Sequence, residues 1–191
     1  CLVAGGGAVA LRKVRSLLEC GAEVTVAAPE VLPELSALPA RFLPRKVEEA
    51  DLAGCALVVD ATGDPTVGEA LSRLCGERGP PLNVVDMPQY CSVIFPAVLR
   101  RGKLTAAIST GGASPLAAAW VRDRLSETLP DCFEAILDQM EELRPLAKSS
   151  LPQQPRRAAF LRACLAAALE KGRPLTQAEI GAYLSKEEAS L

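Results

Sequence analysis

The first stretch of the chain, CLVAGGGAVALRK over residues 1–13, decides the fold because three consecutive glycines join an apolar segment to a helical pattern. Gly5, Gly7 and Ala10 have the Gly-x-Gly-x-x-Ala spacing of dinucleotide-binding turns. In such a turn the first glycine permits a tight bend and the second lets the backbone approach a pyrophosphate. The small third residue allows close packing of helix and strand, and the N-terminus of the helix supplies N–H donors for the anion. The stretch therefore predicts the start of a Rossmann-like domain.

Strand-like and helix-like segments alternate behind this turn. Strands are predicted at 1–4, 23–28, 41–47, 56–61 and 82–86, and helices after Gly7, over 31–38 and from Asp64 to about Arg78. Pro44 weakens the third strand, because proline cannot donate to a sheet ladder. Short links between strands and helices are typical of a parallel sheet with right-handed crossovers.

The pattern changes after Asp86. Segments 94–100 and 104–109 flank Arg101-Gly102-Lys103 and predict a β-hairpin. Helices are predicted from the N-cap Ser114 to about 129, over 131–144 and 155–171, and from Thr176, which forms a capping box with Glu179. The predicted fold is α/β: a Rossmann-like parallel-sheet domain (1–90), a hairpin-plus-helix segment (91–130) and a small helical domain (131–191).

Composition excludes several classes of function. The net charge of -2 and an aromatic content of 4% argue against a nucleic-acid partner, and no apolar stretch approaches the length of a membrane span. The chain has no histidine, which removes histidine bases and histidine metal ligands. Its seven cysteines form no CxxC pair, so we predict no metal site, mostly buried thiols and a cytoplasmic location. Because the chain opens inside a strand without Met, we expect further residues upstream.

Other candidate residues follow the predicted strands. Thr62 and Gly63 end the fourth strand beside the same crevice, where they would line the nicotinamide side of a cofactor. Asp86 ends the fifth strand, where it is either a general base or a turn residue. The loop 109–115 is either an anion site or a tight turn with an N-cap. The basic side chains at 100, 101 and 103 are interpreted as the solvent-exposed tip of the hairpin.

Five blocks together resemble one known family. They are VAGGGAVALRK (3–13), VTVAAPE (24–30), DLAGCALVVDATGDPTV (51–67), LNVVDMPQYC (82–91) and IFPAVLRRGKLTAAISTGGASP (94–115). In order and spacing this set is similar to the siroheme synthase N-terminal module, which comprises precorrin-2 dehydrogenases, some of which are also sirohydrochlorin ferrochelatases. The resemblance runs over about residues 1–125. Gly68 departs from it, because relatives often carry Asn there.

The resemblance implies NAD-dependent oxidation of precorrin-2 to sirohydrochlorin by a homodimer in which the segment after the Rossmann-like domain exchanges contacts between subunits. The family's essential aspartate falls on Asp86. The implied cofactor contacts are Gly5, Gly7, Ala8, Val9, Pro29, Glu30, Thr62 and Gly63, and weaker substrate candidates are Ser109, Thr110 and Ser114. Since precorrin-2 bears eight carboxylates, we add Arg100 and Lys103 from their charge alone.

Three questions stay open at this stage. No arginine follows the second strand to receive a 2′-phosphate, which favours NAD over NADP without deciding between them. The resemblance also implies iron insertion for some members of the family. Because the chain has no histidine, no imidazole can assist metal insertion, and we expect this activity less than the oxidation. The alternatives are a dinucleotide-sensing module, which needs no carboxylate at position 86, and a metallochelatase without NAD, which would tolerate Gly7→Asp.

Overall fold

The computed structural model describes residues 1–76 and 79–189 and separates into two units, Cys1–Phe95 and Pro96–Leu191. The predicted division into three parts, 1–90, 91–130 and 131–191, stays a prediction. Within the described ranges, no helix is long and apolar enough to cross a membrane.

Five short parallel strands form the sheet of the first unit. They are β1 (Leu2–Ala4), β2 (Thr25–Ala27), β3 (Arg41–Leu43), β4 (Val58–Asp60) and β5 (Leu82–Val84), in the spatial order β3-β2-β1-β4-β5. Val3 pairs with Val26 on one side and Val59 on the other, which fixes the register at the centre. β3 is shorter than predicted and ends before Pro44, whose missing N–H stops the ladder. The predicted parallel sheet is confirmed.

Helices cover both faces of this sheet. They are α1 (Ala8–Glu19), α2 (Pro33–Ser36) and α3 (Pro65–Cys75). α1 buries Ala10 and Val14 in the core of one face, and α3 contributes Leu71 to the core of the other. Because both faces are buried, the strands are apolar at successive positions rather than at alternate ones. The predicted end of α3 at about Arg78 lies outside the described residues.

The outer edge of β5 is covered by the segment that returns after it. The N–H of Val93 donates to the Leu82 carbonyl at 3.1 Å, and the Asn83 amide donates to the Val93 carbonyl at 2.9 Å. The Sγ atom of Cys91 lies 3.2 Å from both the N–H and the carbonyl oxygen of Val84. Side chains and irregular backbone therefore satisfy polar groups that a sixth strand would otherwise pair with.

In its described residues, 96–189, the second unit combines a hairpin with four helices. The hairpin strands are β6 (Ala97–Arg101) and β7 (Leu104–Ile108), and the helices are α4 (Pro115–Thr128), α5 (Phe133–Ser150), α6 (Gln154–Lys171) and α7 (Gln177–Ala189). The predicted caps are present: Ser114 Oγ accepts from the Ala117 N–H at 3.1 Å, and Glu179 accepts from the Thr176 N–H at 2.7 Å. The hairpin and the helical region agree with the predicted fold class.

One helix extends further than predicted. The expected end of α5 near Arg144 is wrong, since the helix runs through Pro145 to Ser150. Pro145 has no N–H to donate to the preceding turn, which weakens the helix locally. Beyond it, Ala147 and Leu151 are fully buried in the core that contains Phe160 of α6. Burial of these apolar residues outweighs the missing hydrogen bond.

The cysteines also differ from expectation. Cys75 and Cys164 are buried, and burial raises the pKa of both thiols, that of Cys164 to about 11. The other five are partly or fully exposed, so the prediction that most cysteines are buried is wrong. The Cys132 thiol donates to the Gly172 carbonyl at 2.8 Å. Thiols of this chain therefore act as hydrogen-bond donors as well as small apolar groups.

Candidate active site

The glycine turn after β1 brings three strand ends into close contact. Gly5 has a φ of +113°, and its N–H donates to the Ala27 carbonyl at 3.0 Å. A Cβ atom on Gly5 would lie 2.6 Å from the Ala61 carbonyl oxygen, and one on Gly6 would lie 1.9 Å from that of Glu30. Both positions therefore require glycine, because any side chain would push the ends of β2 and β4 away from the turn.

Gly7 has different surroundings. It is the N-cap of α1, with φ -88° and ψ -170°, a conformation open to any residue. Among the described residues, a Cβ atom there would have nothing within 4 Å, and no side chain caps the helix. The first N–H groups of α1, which include those of Ala8 and Val9, therefore remain available to an anion. This bare helix start suits a pyrophosphate.

The turn forms one wall of a cleft of about 440 Å³ at the carboxyl ends of the strands. This is where the sheet order reverses between β1 and β4, the usual ligand site of such sheets. Of the predicted cofactor residues, the cleft is lined by Gly5, Gly7, Pro29, Glu30 and Thr62. Ala8, Val9 and Gly63 are not among the lining residues. The cleft is also lined by residues that the sequence pattern did not predict as cofactor contacts, among them Gly6, Lys46, Val47, Asp64 and Val67.

A buried carboxylate supports the Thr62 side of the cleft. Asp60 is only 1% exposed, and its Oδ1 accepts from the N–H of Thr62 at 2.9 Å and from its hydroxyl at 2.6 Å. Thr62 Oγ1 in turn accepts from the N–H of Asp64 at 3.1 Å. Asp64 also caps α3, as predicted, by accepting from the Thr66 N–H at 2.9 Å. This chain of hydrogen bonds fixes the turn that follows β4.

Asp86 lies two residues beyond the end of β5 and is exposed. Its φ of 62° is the one positive value among the described non-glycine residues. Such a conformation costs about 1 kcal/mol for a residue with a Cβ atom. The carboxylate of Asp86 is accessible to solvent in the first unit.

Lys13 on α1 is a further charged residue close to Asp86. Its ammonium lies 3.9 Å from the centroid of the Phe95 ring, a cation–π distance. Burial and the neighbouring Arg12 lower the pKa of Lys13, whereas Cys91 and Asp86 act in the opposite direction. The sequence pattern gave Lys13 only a place on the polar face of α1, since its nearness to Asp86 depends on tertiary packing.

The remaining candidates belong to the second unit. Thr110 Oγ1 accepts from the Ser114 N–H at 3.0 Å, and Ser109 Oγ accepts from the Gly111 N–H at 3.2 Å. These hydroxyls, like the Ser114 cap, bond within their own loop. Lys103 pairs with Glu141 and, at 2.9 Å, with Asp138 of α5, and the hydrogen bonds that its ammonium donates to these two carboxylates raise its pKa. Arg100 is exposed on β6.

Two family models match the chain. One, described as "Putative NAD(P)-binding", covers residues 1–97, and the other, "Sirohaem biosynthesis protein central", covers residues 101–128. The family match thus contains the whole cleft and continues into the hairpin and α4.

Similar proteins include the siroheme synthase of Thioalkalivibrio sulfidiphilus, 42% identical over 164 residues, which are 84% of this chain and 34% of that protein. The siroheme synthase of Pseudomonas aeruginosa PAO1 is 39% identical over 163 residues, 83% of this chain and 35% of that protein. The chain therefore spans about a third of the length of these relatives. The solved structure of SirC, a precorrin-2 dehydrogenase, matches 98% of this chain and 92% of its own with a TM-score of 0.78 and 27% identity.

Proposed function

Because this chain belongs to the siroheme synthase N-terminal module family, we propose that it oxidises precorrin-2 to sirohydrochlorin with NAD. The observation that carries the proposal is the likeness to a precorrin-2 dehydrogenase along 98% of the chain. The glycine-lined cleft supports it independently, because Gly5 and Gly6 leave no room for a side chain while Gly7 opens onto the cleft. These residues fit a dinucleotide.

Asp86 is the proposed proton acceptor. Oxidation of precorrin-2 removes a hydride and a proton, and bound NAD supplies the acceptor for the hydride. The Asp86 carboxylate takes the proton, which a positioned acid or base does efficiently when it reaches the reacting group. Lys13 of α1 adds a positive charge to this part of the first unit, and Asp86 acts to raise the pKa of Lys13.

The cofactor is proposed to be NAD rather than NADP. Glu30 lines the cleft just after β2, where a carboxylate accepts hydrogen bonds from ribose hydroxyls and repels a 2′-phosphate. Lys46 lines the same cleft and would attract a phosphate. Parallel titrations with NAD and NADP decide between these two influences, and we expect tighter binding of NAD.

The active form is proposed to be a cytoplasmic homodimer. On α4, Leu116 is 83% exposed and Trp120 is 61% exposed, and the spacing of four residues places both on one face. Large exposed apolar groups clustered on one helix face mark an interaction surface. A second copy of this chain is the occupant that the family resemblance favours. None of the seven cysteines forms a disulfide, which fits a reducing compartment.

An anaerobic assay tests the function. The purified chain is mixed with precorrin-2 and NAD, and NADH and sirohydrochlorin are followed together by absorbance. We expect both products in equal amounts, and ferrous iron added afterwards tests metal insertion. Binding of NAD without either product would refute the dehydrogenase and favour the dinucleotide sensor. Iron insertion without any need for NAD would favour the chelatase.

A further inference from the structure

The carboxylate of Asp60 is a costly group that the core does not require. Its side chain is 1% exposed, and its Oδ2 atom has no hydrogen-bond partner among the described residues. Burial of a polar atom without a partner costs about 1–3 kcal/mol. The space beside Oδ2 is tightly packed, because a Cβ atom added on Gly68 would lie 3.4 Å from Oδ2 and 2.9 Å from a methyl carbon of Val84. The Oδ1 atom stabilises the turn after β4, but the unpartnered Oδ2 atom makes a carboxylate a costly group for that purpose alone.

The other oxygen of Asp60 controls the hydroxyl of Thr62. Oδ1 accepts both the N–H and the O–H of Thr62, and the 2.6 Å distance to Oγ1 is that of a strong, charge-assisted bond. A threonine hydroxyl has a single proton, and here that proton is directed at Asp60. Thr62 Oγ1 therefore acts only as an acceptor toward other groups. One lone pair receives the Asp64 N–H, and the second is left on a residue that lines the cleft.

We propose that Asp60 is a positioning residue for cofactor binding, which turns Thr62 Oγ1 into an acceptor for a hydrogen-bond donor of the dinucleotide. This inference rests on the proposed function, because it takes the cleft to be the NAD site. The donor is either a ribose hydroxyl or the amino group of the nicotinamide carboxamide. Both groups donate a hydrogen bond, which Thr62 Oγ1 can accept. A phosphate oxygen only accepts hydrogen bonds and therefore could not take their place.

The test compares NAD binding by calorimetry in the full chain and in Asp60→Ala, Asp60→Asn, Thr62→Val, Thr62→Ser and the double variant Asp60→Ala/Thr62→Val. Loss of one hydrogen bond corresponds to an affinity loss of about threefold to tenfold. We expect that loss in Asp60→Ala and in Thr62→Val, and a similar loss, not a multiplied one, in the double variant. Asp60→Asn keeps the Oδ1 acceptor and Thr62→Ser keeps the hydroxyl, so both should stay within about twofold of the parent.

Kinetics separate positioning from a general loss of structure. We expect the KM for NAD to rise in Asp60→Ala while kcat changes by less than about twofold. Melting temperatures are measured alongside, and Asp60→Leu, which fills the same space, replaces the alanine variant if that variant does not fold. The 3-acetylpyridine analogue of NAD lacks the carboxamide amino group. If Thr62 accepts from that amino group, the parent and Thr62→Val should bind the analogue with equal affinity. If Thr62 accepts from a ribose hydroxyl, Thr62→Val should still bind the analogue more weakly than the parent does.

Separate outcomes refute the two proposals. If the parent binds no NAD, the proposed function and this inference fail together. If the parent binds NAD and Asp60→Ala binds it equally well, the positioning role is wrong while the function stands. The positioning role would also be overturned if Asp60→Ala reduced NAD affinity as much in the Thr62→Val background as in the parent. An Asp60→Asn variant that bound NAD as weakly as Asp60→Ala would overturn it too.

Discussion

Gly6 and Gly7 are neighbours in the turn after β1, yet they differ in their tolerance of a side chain. Space around Gly7 is open and the residue occupies the N-cap of α1, where Asp is among the preferred residues. We expect Gly7→Asp to leave the free energy of unfolding unchanged or to raise it by up to about 1 kcal/mol. NAD binding should weaken more than tenfold, because the new carboxylate would face the pyrophosphate. Thermal unfolding and calorimetric titration measure the two effects.

Gly6→Ala is the matched control for this experiment. The added Cβ would meet the Glu30 carbonyl oxygen at 1.9 Å, so we expect this variant to lose the folded state of the first unit. A Gly7→Asp variant that bound NAD like the parent would place the pyrophosphate somewhere other than the glycine turn.

Asp86 combines a strained backbone with the proposed chemistry, and two variants separate them. Asp86→Asn keeps the size of the side chain and tolerates a positive φ, so we expect NAD affinity within about twofold and a rate of oxidation about 10²–10⁴-fold lower. Asp86→Gly relieves the strain at φ 62° and should be at least as stable as the parent but equally slow. Turnover at the parental rate in Asp86→Asn would make the residue structural.

Local patterns identify part of the site and miss the rest for a clear reason. Gly5, Gly7 and Thr62 were found because a turn or a strand end determines where they lie. Lys46 was missed because it follows the end of β3 by three residues and reaches the cleft only through the pairing of β3 with β2. The contact of Lys13 with the Phe95 ring joins α1 to the segment after β5, and no spacing in the sequence encodes that contact.

At the scale of the element, Pro145 inside α5 gives a stability prediction. The side chain is exposed, and alanine there would restore an N–H to the helix ladder. We expect Pro145→Ala to raise the free energy of unfolding by about 1–2 kcal/mol, less than the full propensity difference because the unfolded chain also becomes freer. Thermal unfolding measures this, with Pro152→Ala outside the helices as the control. A lower melting temperature for Pro145→Ala would show that a bend at the proline helps the packing.

The short 3₁₀ turn Glu49–Leu52 gives a pH prediction. Arg45 donates to both oxygens of Asp51 at 2.7 and 2.8 Å, and these hydrogen bonds lower the pKa of Asp51 to about 2. Since the unfolded chain has a higher pKa, near 3.8, the carboxylate contributes stability above about pH 4 that is lost as the pH falls toward 2. We expect Asp51→Asn to melt a few degrees below the parent at pH 6 and to approach it near pH 2. Glu49→Gln is the control, and a pH-independent difference would contradict the prediction.

The elements themselves were largely predictable, because caps and turns are local. Asp64, Ser114 and Thr176 mark helix starts through hydrogen bonds to residues two or three positions on. The end of α5 was not predictable, since the burial of Ala147 and Leu151 against another helix decides it. Sequence periodicity describes one element at a time and does not include such contacts.

At the scale of the whole molecule, the exposed face of α4 predicts the oligomeric state. We expect the parent to sediment as a dimer and Trp120→Glu to sediment as a monomer, because a buried charge without a partner opposes association. Leu74→Glu, on a residue of α3 that is 42% exposed, is the control and should remain dimeric. A dimeric Trp120→Glu, or a parent that is monomeric at micromolar concentration, would exclude this face as the dimer contact.

The two margins of the five-stranded sheet bear on how this protein behaves when it is concentrated. Exposed strand edges act as templates for aggregation. Here β3 is three residues long and is followed by Pro44, and β5 is covered by the segment around Cys91 and Val93. Neither margin offers a long template to another chain. Pairing of another chain with the β5 edge would first require the 91–93 segment to detach, so we expect modification of the Cys91 thiol to make the protein aggregate more readily.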